Sequence, residues 1–181
     1  LPLWVLGNGS NVLVPDTGVK GVVLKMLFDD ITFENTGDET LLIAGAGTQW
    51  EKIVDVACEQ NLFGIENLAG IPGTMGGAVV QNIGAYGAEL ADTFEYAEVI
   101  DFKTGEHKRV NKTEAGFAYR TSFFKQHREL IVLRVALCLS KKTMPNLNYP
   151  DLKGTTLGTP TEIARAIRAI RPKKFPLTPE A

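Results

Sequence analysis

The sequence predicts an α+β fold, because short apolar strands outnumber helices and the two do not alternate regularly along the chain. Strands are predicted where apolar runs are bounded by turn residues, at positions 3–6, 12–14, 22–27, 41–44, 97–102 and 131–139. Only two helices are expected. A length of 181 residues and a hydrophobic content of 44% suffice for a sizeable core.

The first helix is predicted to begin at a capping box made of Thr48 and Glu51. The residues that follow form one apolar stripe at helical spacing, Trp50, Ile53, Val54, Ala57 and Cys58. In strand 131–139, every second residue is strongly apolar, which predicts a half-buried strand.

The last helix is predicted to begin after Thr159, with Glu162 at its third position, and to end at Pro172. Its arginines, Arg165 and Arg168, are expected on the solvated face.

The net charge and the length of the apolar runs exclude two classes of partner. A formal net charge of −2 gives no basic face for nucleic acid, and no apolar run is long enough to span a membrane. Cys58 and Cys138 lie far apart without metal-ligand spacing, so we expect reduced thiols and no metal site.

Residues 67–88, between Glu66 and Glu89, form a run of 22 residues without a charged side chain. The run contains six glycines, and glycine lets the backbone turn through positive φ and approach a ligand closely. One interpretation is a cradle of peptide N–H groups for a phosphate or pyrophosphate. The other is a turn-rich surface loop. A second glycine turn at 7–11 favours a large phosphate-bearing ligand.

Two common nucleotide motifs do not apply. Gly45-Ala46-Gly47 follows a strand and precedes a helix, but Trp50 replaces the third glycine of a dinucleotide fingerprint. No P-loop motif occurs.

Residues 119–125 place Arg120 among aromatic residues. Its side chain either lies along the surface or is held in a pocket for a carboxylate or phosphate. Ser122 has no neighbouring His or Asp in sequence, so a nucleophilic serine is not supported.

Four motifs taken together resemble the UDP-N-acetylenolpyruvoylglucosamine reductase (MurB) family, flavoenzymes of the vanillyl-alcohol-oxidase superfamily. They are LGNGSNVLV (6–14), AGAGTQW (44–50), ENLAGIPGTMGGAVVQNIGAYGAEL (66–90) and FAYRTSFFK (117–125). The resemblance implies an FAD-binding fold of PCMH type, with a truncated N-terminal subdomain, a larger mixed-sheet subdomain and a missing C-terminal substrate domain. The tail end of the first subdomain corresponds to residues 1–20 and the larger subdomain to residues 21–172. Residues 173–181 correspond to a linker toward the missing domain.

The resemblance also implies which residues bind FAD. The cofactor is expected to be non-covalent, because no His or Cys adjoins the glycine run. The implied FAD-binding residues are Leu6, Gly7, Asn8, Gly9, Ser10, Asn11, Val12, Ile71, Pro72, Gly73, Gly76, Gly77, Gln81, Asn82, Gly84, Ala85 and Gly87.

The implied reaction reduces UDP-N-acetylglucosamine enolpyruvate, with NADPH as the source of electrons. Arg120 corresponds to the active-site arginine of the family, and Tyr119 to the tyrosine before it. Tyr149 and Lys174 resemble residues that contact the UDP-sugar. A cytoplasmic monomer is expected.

The sequence departs from the family pattern near its end. It lacks a GSFFKNP-like motif with the proton-donating serine, and the late glutamate. Because the chain also opens on a strand, LPLWVL, we interpret it as an internal section of a longer protein. Two alternatives remain: another FAD-dependent oxidoreductase of the same fold, and a non-catalytic FAD-binding module.

Overall fold

A computed structural model of the chain describes residues 1–142 and 145–174. In chain order its elements are β1 (Leu3–Leu6), β2 (Val22–Lys25), β3 (Ile31–Thr36), β4 (Glu39–Gly45), α1 (Trp50–Glu59), a 3-10 turn (Glu66–Leu68), α2 (Met75–Gln81), β5 (Gly84–Ala85), β6 (Ala88–Glu89), α3 (Leu90–Thr93), β7 (Phe94–Asp101), β8 (His107–Asn111), α4 (Phe123–Gln126), β9 (Leu130–Ser140) and α5 (Pro160–Lys174). This element order confirms the predicted α+β class.

The centre of the fold is a five-stranded sheet in the order β3-β4-β9-β7-β8. The expected mixed sheet is antiparallel at every pair of neighbours. Two of these pairs, β3–β4 and β7–β8, are consecutive strands joined by short turns that contain glycine. Its central strand, β9, buries the consecutive residues Val135, Ala136 and Leu137. The predicted half-buried alternation is therefore wrong for β9, since a central strand is covered on both faces.

The sequence patterns missed the two outer strands. Both β3 and β8 are largely exposed and polar, so neither has an apolar run to reveal it. The predicted strand at 12–14 does not form; Val12, Leu13 and Val14 lie in exposed irregular chain. Strand 22–27 is shortened to β2, which pairs in parallel with β1.

The stripe of α1 is buried as predicted, but its capping box is wrong. Gln49 precedes the helix without a side-chain cap. Glu51 instead accepts a hydrogen bond from the backbone N–H of Gly70 at 2.6 Å and pairs with Arg168 of α5. Arg168 therefore lies between α5 and α1 rather than on a solvated face.

The predicted start of α5 at Thr159 is confirmed, since the Thr159 hydroxyl accepts from the Glu162 N–H at 3.2 Å. The Glu162 carboxylate in turn accepts from the Thr159 N–H at 3.1 Å, which completes a capping box. The helix does not end at Pro172 and continues to Lys174. Residues 175–181, most of the predicted linker, lie outside the described part of the chain.

Gly45 and Gly47 lie at a junction where the end of β4 contacts the segment at 26–30 and the start of α2. Their N–H groups donate to the carbonyls of Asp30 and Phe28, at 2.9 and 2.8 Å. A Cβ on Gly45 would lie 2.4 Å from the Phe28 oxygen, and one on Gly47 would lie 2.6 Å from the Met26 oxygen. Only glycine allows this main-chain packing. The helix α2 joins the junction through the Gly76 N–H, which donates to the Ala46 carbonyl at 2.9 Å. The sequence patterns did not predict this helix.

The domain boundaries remain a prediction. β1 and β2 pair across the expected division at residue 20. In the described ranges, no helix is long and apolar enough to cross a membrane.

Glu66 gives the fold a testable pH dependence. Its carboxylate is buried and accepts from the Gly64 N–H at 2.6 Å, but burial still raises the pKa of this carboxyl. A raised folded-state pKa means that stability falls as pH rises from the unfolded value, about 4.3, through the folded value. Glu66→Gln keeps the acceptor without the charge. Its gain in unfolding free energy over the parent should therefore be larger at pH 7 than at pH 4, as measured by urea denaturation. A gain that is independent of pH would contradict this.

Candidate functional site

A cleft of about 410 Å³ opens between the turn at 6–12 and the glycine-rich segment 71–84. These two stretches are distant in sequence, and the fold brings them onto facing walls. The predicted site residues that line the cleft are Leu6, Gly7, Asn8, Gly9, Ser10, Asn11, Val12, Ile71, Pro72, Gly73, Gly77, Gln81, Gly84 and Arg120.

A second cleft of about 330 Å³ adjoins the first and shares the wall made by Gly7, Thr74 and Gly77. Gly76 lines this second cleft, together with apolar residues of β1 and β9. Each volume lies within the range of about 300–1,000 Å³ that is common for ligand sites. We call the two adjoining clefts together the groove.

The wall between the clefts depends on a close contact between Gly7 and Thr74. A Cβ on Gly7 would lie 2.5 Å from the Thr74 hydroxyl oxygen. That oxygen is buried and has no hydrogen-bond partner within the part of the chain that the structure describes. Nearby, the Ser10 hydroxyl donates to the Pro72 carbonyl at 3.3 Å, which ties the turn to the glycine-rich segment. The turn thus has little room to move inward.

The glycine-rich segment is anchored by some of the N–H groups that the sequence analysis assigned to a ligand. The N–H groups of Met75 and Gly76 donate to the Thr48 and Ala46 carbonyls, each at 2.9 Å. A Cβ on Gly76 would lie 3.1 Å from Ala46. These amides fix α2 against the Gly45–Gly47 junction, so the N–H groups of Met75 and Gly76 are not available to a ligand.

Arg120 lines the cleft beside the end of the glycine-rich segment. Its guanidinium donates to the carbonyl of Asn82 at 3.2 Å and to that of Gly84. A Cβ on Gly84 would lie 2.8 Å from the Arg120 Nη1 atom, so glycine makes room for this contact. Arg120 also has a φ of +53°, which is unusual for a non-glycine residue. Its position is therefore fixed at both the backbone and the side chain.

Gln81 and Asn82 differ from each other in exposure. Gln81 lines the cleft, and its side-chain oxygen accepts from the Lys125 ammonium at 3.0 Å. Asn82 is fully buried and does not line either cleft. Ala85 and Gly87 also lie outside both cleft walls.

The predicted substrate residues divide into two groups. Tyr119 is 81% exposed, with the Arg120 guanidinium 5.3 Å from its ring centre. Tyr149 and Lys174 come together, since the Lys174 ammonium donates to the Tyr149 hydroxyl at 3.3 Å. Hydrogen bonding to Asp151 and Tyr149 raises the pKa of Lys174.

The cleft residues that sequence reasoning did not assign to the site include Trp50, Thr74 and Arg171. Trp50 was assigned to the core alone, and its ring N–H donates to the Leu68 carbonyl at 3.0 Å. Thr74 lies inside the glycine run, where its hydroxyl carried no separate signal. Arg171 follows Arg168 on α5 and approaches Gly70. No motif in the surrounding sequence indicated that it belongs to a site.

The comparisons with known proteins identify the ligand class. The FAD binding domain family matches residues 1–111. This chain belongs to that family. The family match therefore supports FAD as the cofactor and confirms the PCMH-type interpretation of the fold.

Relatives and a solved structure confirm the narrower resemblance. UDP-N-acetylenolpyruvoylglucosamine reductases from Shewanella baltica and Salmonella typhimurium are each 38% identical over 97% of the chain. The MurB crystal structure from Thermus caldophilus superposes with a TM-score of 0.69 at 33% identity, over 96% of this chain and 56% of that one. The chain spans about half the length of the curated relatives, 52%.

A more distant likeness shows the fold alone. A solvent-stable cholesterol oxidase matches with a TM-score of 0.53 at 12% identity, over 77% of this chain and 30% of that one.

The residues of the groove fit an FAD molecule. Its two clefts adjoin, glycines at 7 and 84 leave room where a Cβ would project, and the Thr74 hydroxyl is a buried polar group without a partner among the described residues. The Asn8 side-chain amide donates one N–H to the Gln49 side chain at 2.6 Å, and its second N–H suits a diphosphate.

Gly7→Ala tests whether this contact shapes the cofactor site. The added methyl meets the Thr74 hydroxyl, and overpacking of this kind typically costs about 1–3 kcal/mol. We expect the Kd for FAD to rise about tenfold or more in the protein that contains this chain, as measured by flavin fluorescence. Gly158→Ala is the matched control, since the nearest atom to its Cβ is 4.0 Å away. Equal FAD affinity in the two variants would contradict the assigned role of Gly7.

Proposed function

We propose that the protein containing this chain is a cytoplasmic FAD-dependent reductase of peptidoglycan precursor synthesis. It reduces UDP-N-acetylglucosamine enolpyruvate to UDP-N-acetylmuramate, with NADPH as electron donor, and acts as a monomer. The observation that carries the proposal is the placement of Arg120 on the wall of the groove that fits FAD. The names of the relatives support the substrate class.

Bound non-covalently in the groove and reduced by NADPH, the flavin would supply a hydride from N5 to the methylene carbon of the enolpyruvyl ether. Negative charge would then develop toward the substrate carboxylate, as an enolate, before a proton reaches the adjacent carbon. A fixed guanidinium stabilises such charge most where it grows. Two of the five N–H donors of a guanidinium are used here on main-chain carbonyls. The others suit a carboxylate.

The UDP part of the substrate would contact the cluster of Tyr149 and Lys174. The Tyr149 ring packs edge-on against Tyr86 with 4.9 Å between ring centres, and Lys174 lies 4.7 Å from the Tyr149 ring centre. An ammonium and a phenol on one surface suit a diphosphate. Tyr119, beside Arg120, is proposed as a further substrate contact.

Two other functions remain to be distinguished. Another FAD-dependent oxidoreductase would use the same groove, but it has no need for Arg120 and Tyr149 together. A non-catalytic FAD-binding module would bind the cofactor without consuming an enolpyruvyl substrate. Separate measurements of flavin reduction by NADPH and of flavin oxidation by the enolpyruvyl substrate distinguish these possibilities.

Arg120→Ala should slow the oxidation of reduced flavin by the enolpyruvyl substrate about 100-fold, because one donor aimed at developing charge has an effect of this size. Flavin reduction by NADPH should be largely unchanged. Stopped-flow absorbance measures both half-reactions, and Arg165→Ala, on the exposed face of α5, is the matched control. Equal slowing of the two half-reactions would make the assigned role of Arg120 wrong.

Tyr149→Phe should weaken binding of the UDP-sugar roughly tenfold without changing FAD content, because the phenyl ring retains its packing but loses the hydroxyl near Lys174. Calorimetric titration with the substrate measures the change. Tyr96→Phe, on β7, provides the control. An unchanged substrate Kd in the Tyr149 variant would remove this residue from the site.

A further inference from the structure

Asn82 is a buried polar residue whose side chain is bonded entirely to the protein. It is 0% exposed. Its amide nitrogen donates to the Glu89 carboxylate and to the Ala118 carbonyl, each at 3.0 Å, and its side-chain oxygen accepts from the Ala91 N–H at 3.1 Å. Both ends of the side-chain amide are therefore satisfied within the fold.

These bonds lead to Arg120 from two directions. The Asn82 side chain holds the Ala118 carbonyl, two residues before Arg120. The Asn82 main-chain carbonyl accepts from the Arg120 guanidinium at 3.2 Å. One residue thus contacts both the loop that carries the arginine and the charged group itself.

The backbone conformations explain why asparagine suits this position. Asn82 ends α2 with φ +45° and ψ +65°, the left-handed conformation that asparagine tolerates better than most residues. Arg120 is also left-handed, with φ +53°. Such conformations in side-chain-bearing residues persist only where the surroundings hold them.

The same loop is attached to α2 at two further points. The Ser122 hydroxyl donates to the Val80 carbonyl at 2.8 Å. The Lys125 ammonium donates to the Gln81 side chain at 3.0 Å and to the Arg120 carbonyl at 2.9 Å. Asn82 and Ser122 are each 0% exposed, whereas Lys125 is exposed.

We propose that Asn82 is a positioning residue for Arg120, acting through the 118–122 loop and through its own carbonyl rather than by contact with a ligand. This inference rests on the proposed function for the role of Arg120. The positioning itself is a property of the polypeptide, so it can be measured separately.

Asn82→Gly tests the proposal, because glycine accepts the left-handed backbone and removes only the side-chain bonds. Amide hydrogen exchange in residues 118–122 should become about tenfold faster, in line with the loss of the hydrogen bond from the Asn82 amide to the Ala118 carbonyl. Asn61→Gly is the matched control: Asn61 is also left-handed, with φ +54°, but it is exposed and lies at the end of α1. Equal exchange rates in the two variants would overturn the proposal.

The second measurement is the half-reaction of the reduced flavin with substrate. Asn82→Gly should slow it about tenfold, and should add no further loss in an Arg120→Ala background, because the two residues act as one unit. Additive losses would overturn the positioning role. Asn82→Asp, which preserves size but replaces the donor with an acceptor facing Glu89, should show the same pattern.

The two proposals fail in different ways. If Arg120→Ala leaves the substrate half-reaction unchanged, the proposed function is wrong, and the exchange measurement still decides whether Asn82 positions the loop. If Arg120→Ala slows the half-reaction but Asn82→Gly changes neither rate nor exchange, only the inference about Asn82 is wrong.

Discussion

The groove depends on main-chain packing around Gly45-Ala46-Gly47. On one side, the segment at 26–30 lies so close that the carbonyls of Met26 and Phe28 occupy the space of a side chain. On the other side, the N–H of Gly76 bonds to the Ala46 carbonyl at 2.9 Å. This junction attaches α2 to the end of β4, and the glycine-rich segment then extends from a fixed base. Without that base, the turn at 6–12 would have no rigid wall to face.

The second constraint is that the protein itself holds Arg120, the cation proposed to act in the reaction, in place. Arg120 bonds to two main-chain carbonyls at the end of α2, and its backbone is held in a left-handed conformation. A group fixed in this way needs little reorganisation when charge develops. Among the described non-glycine residues with positive φ, Asn82, Tyr86 and Arg120 lie around the site. Backbone strain is often concentrated where function requires it.

Sequence reasoning predicted the elements with strong local signals and missed those set by tertiary contacts. The stripe of α1 and the start of α5 at Thr159 were visible because helical periodicity and capping are local. The polar strands β3 and β8 form only because β4 and β7 pair with them, and α2 forms in a glycine-rich stretch because its first amides bond to Ala46 and Thr48. In the site, the convergence of the turn with the glycine-rich segment was predicted. The burial of Asn82 and the hydrogen bonds of its side chain within the fold were not predicted, because a polar residue type does not reveal burial.

The most direct test of this account is a crystal structure of the protein with FAD bound. The account predicts that the diphosphate lies between the turn at 7–10 and the segment at 73–77, with the isoalloxazine ring beside the Arg120 guanidinium. A diphosphate bound on another face, with the Gly7–Thr74 contact intact and the groove filled only by solvent, would contradict it.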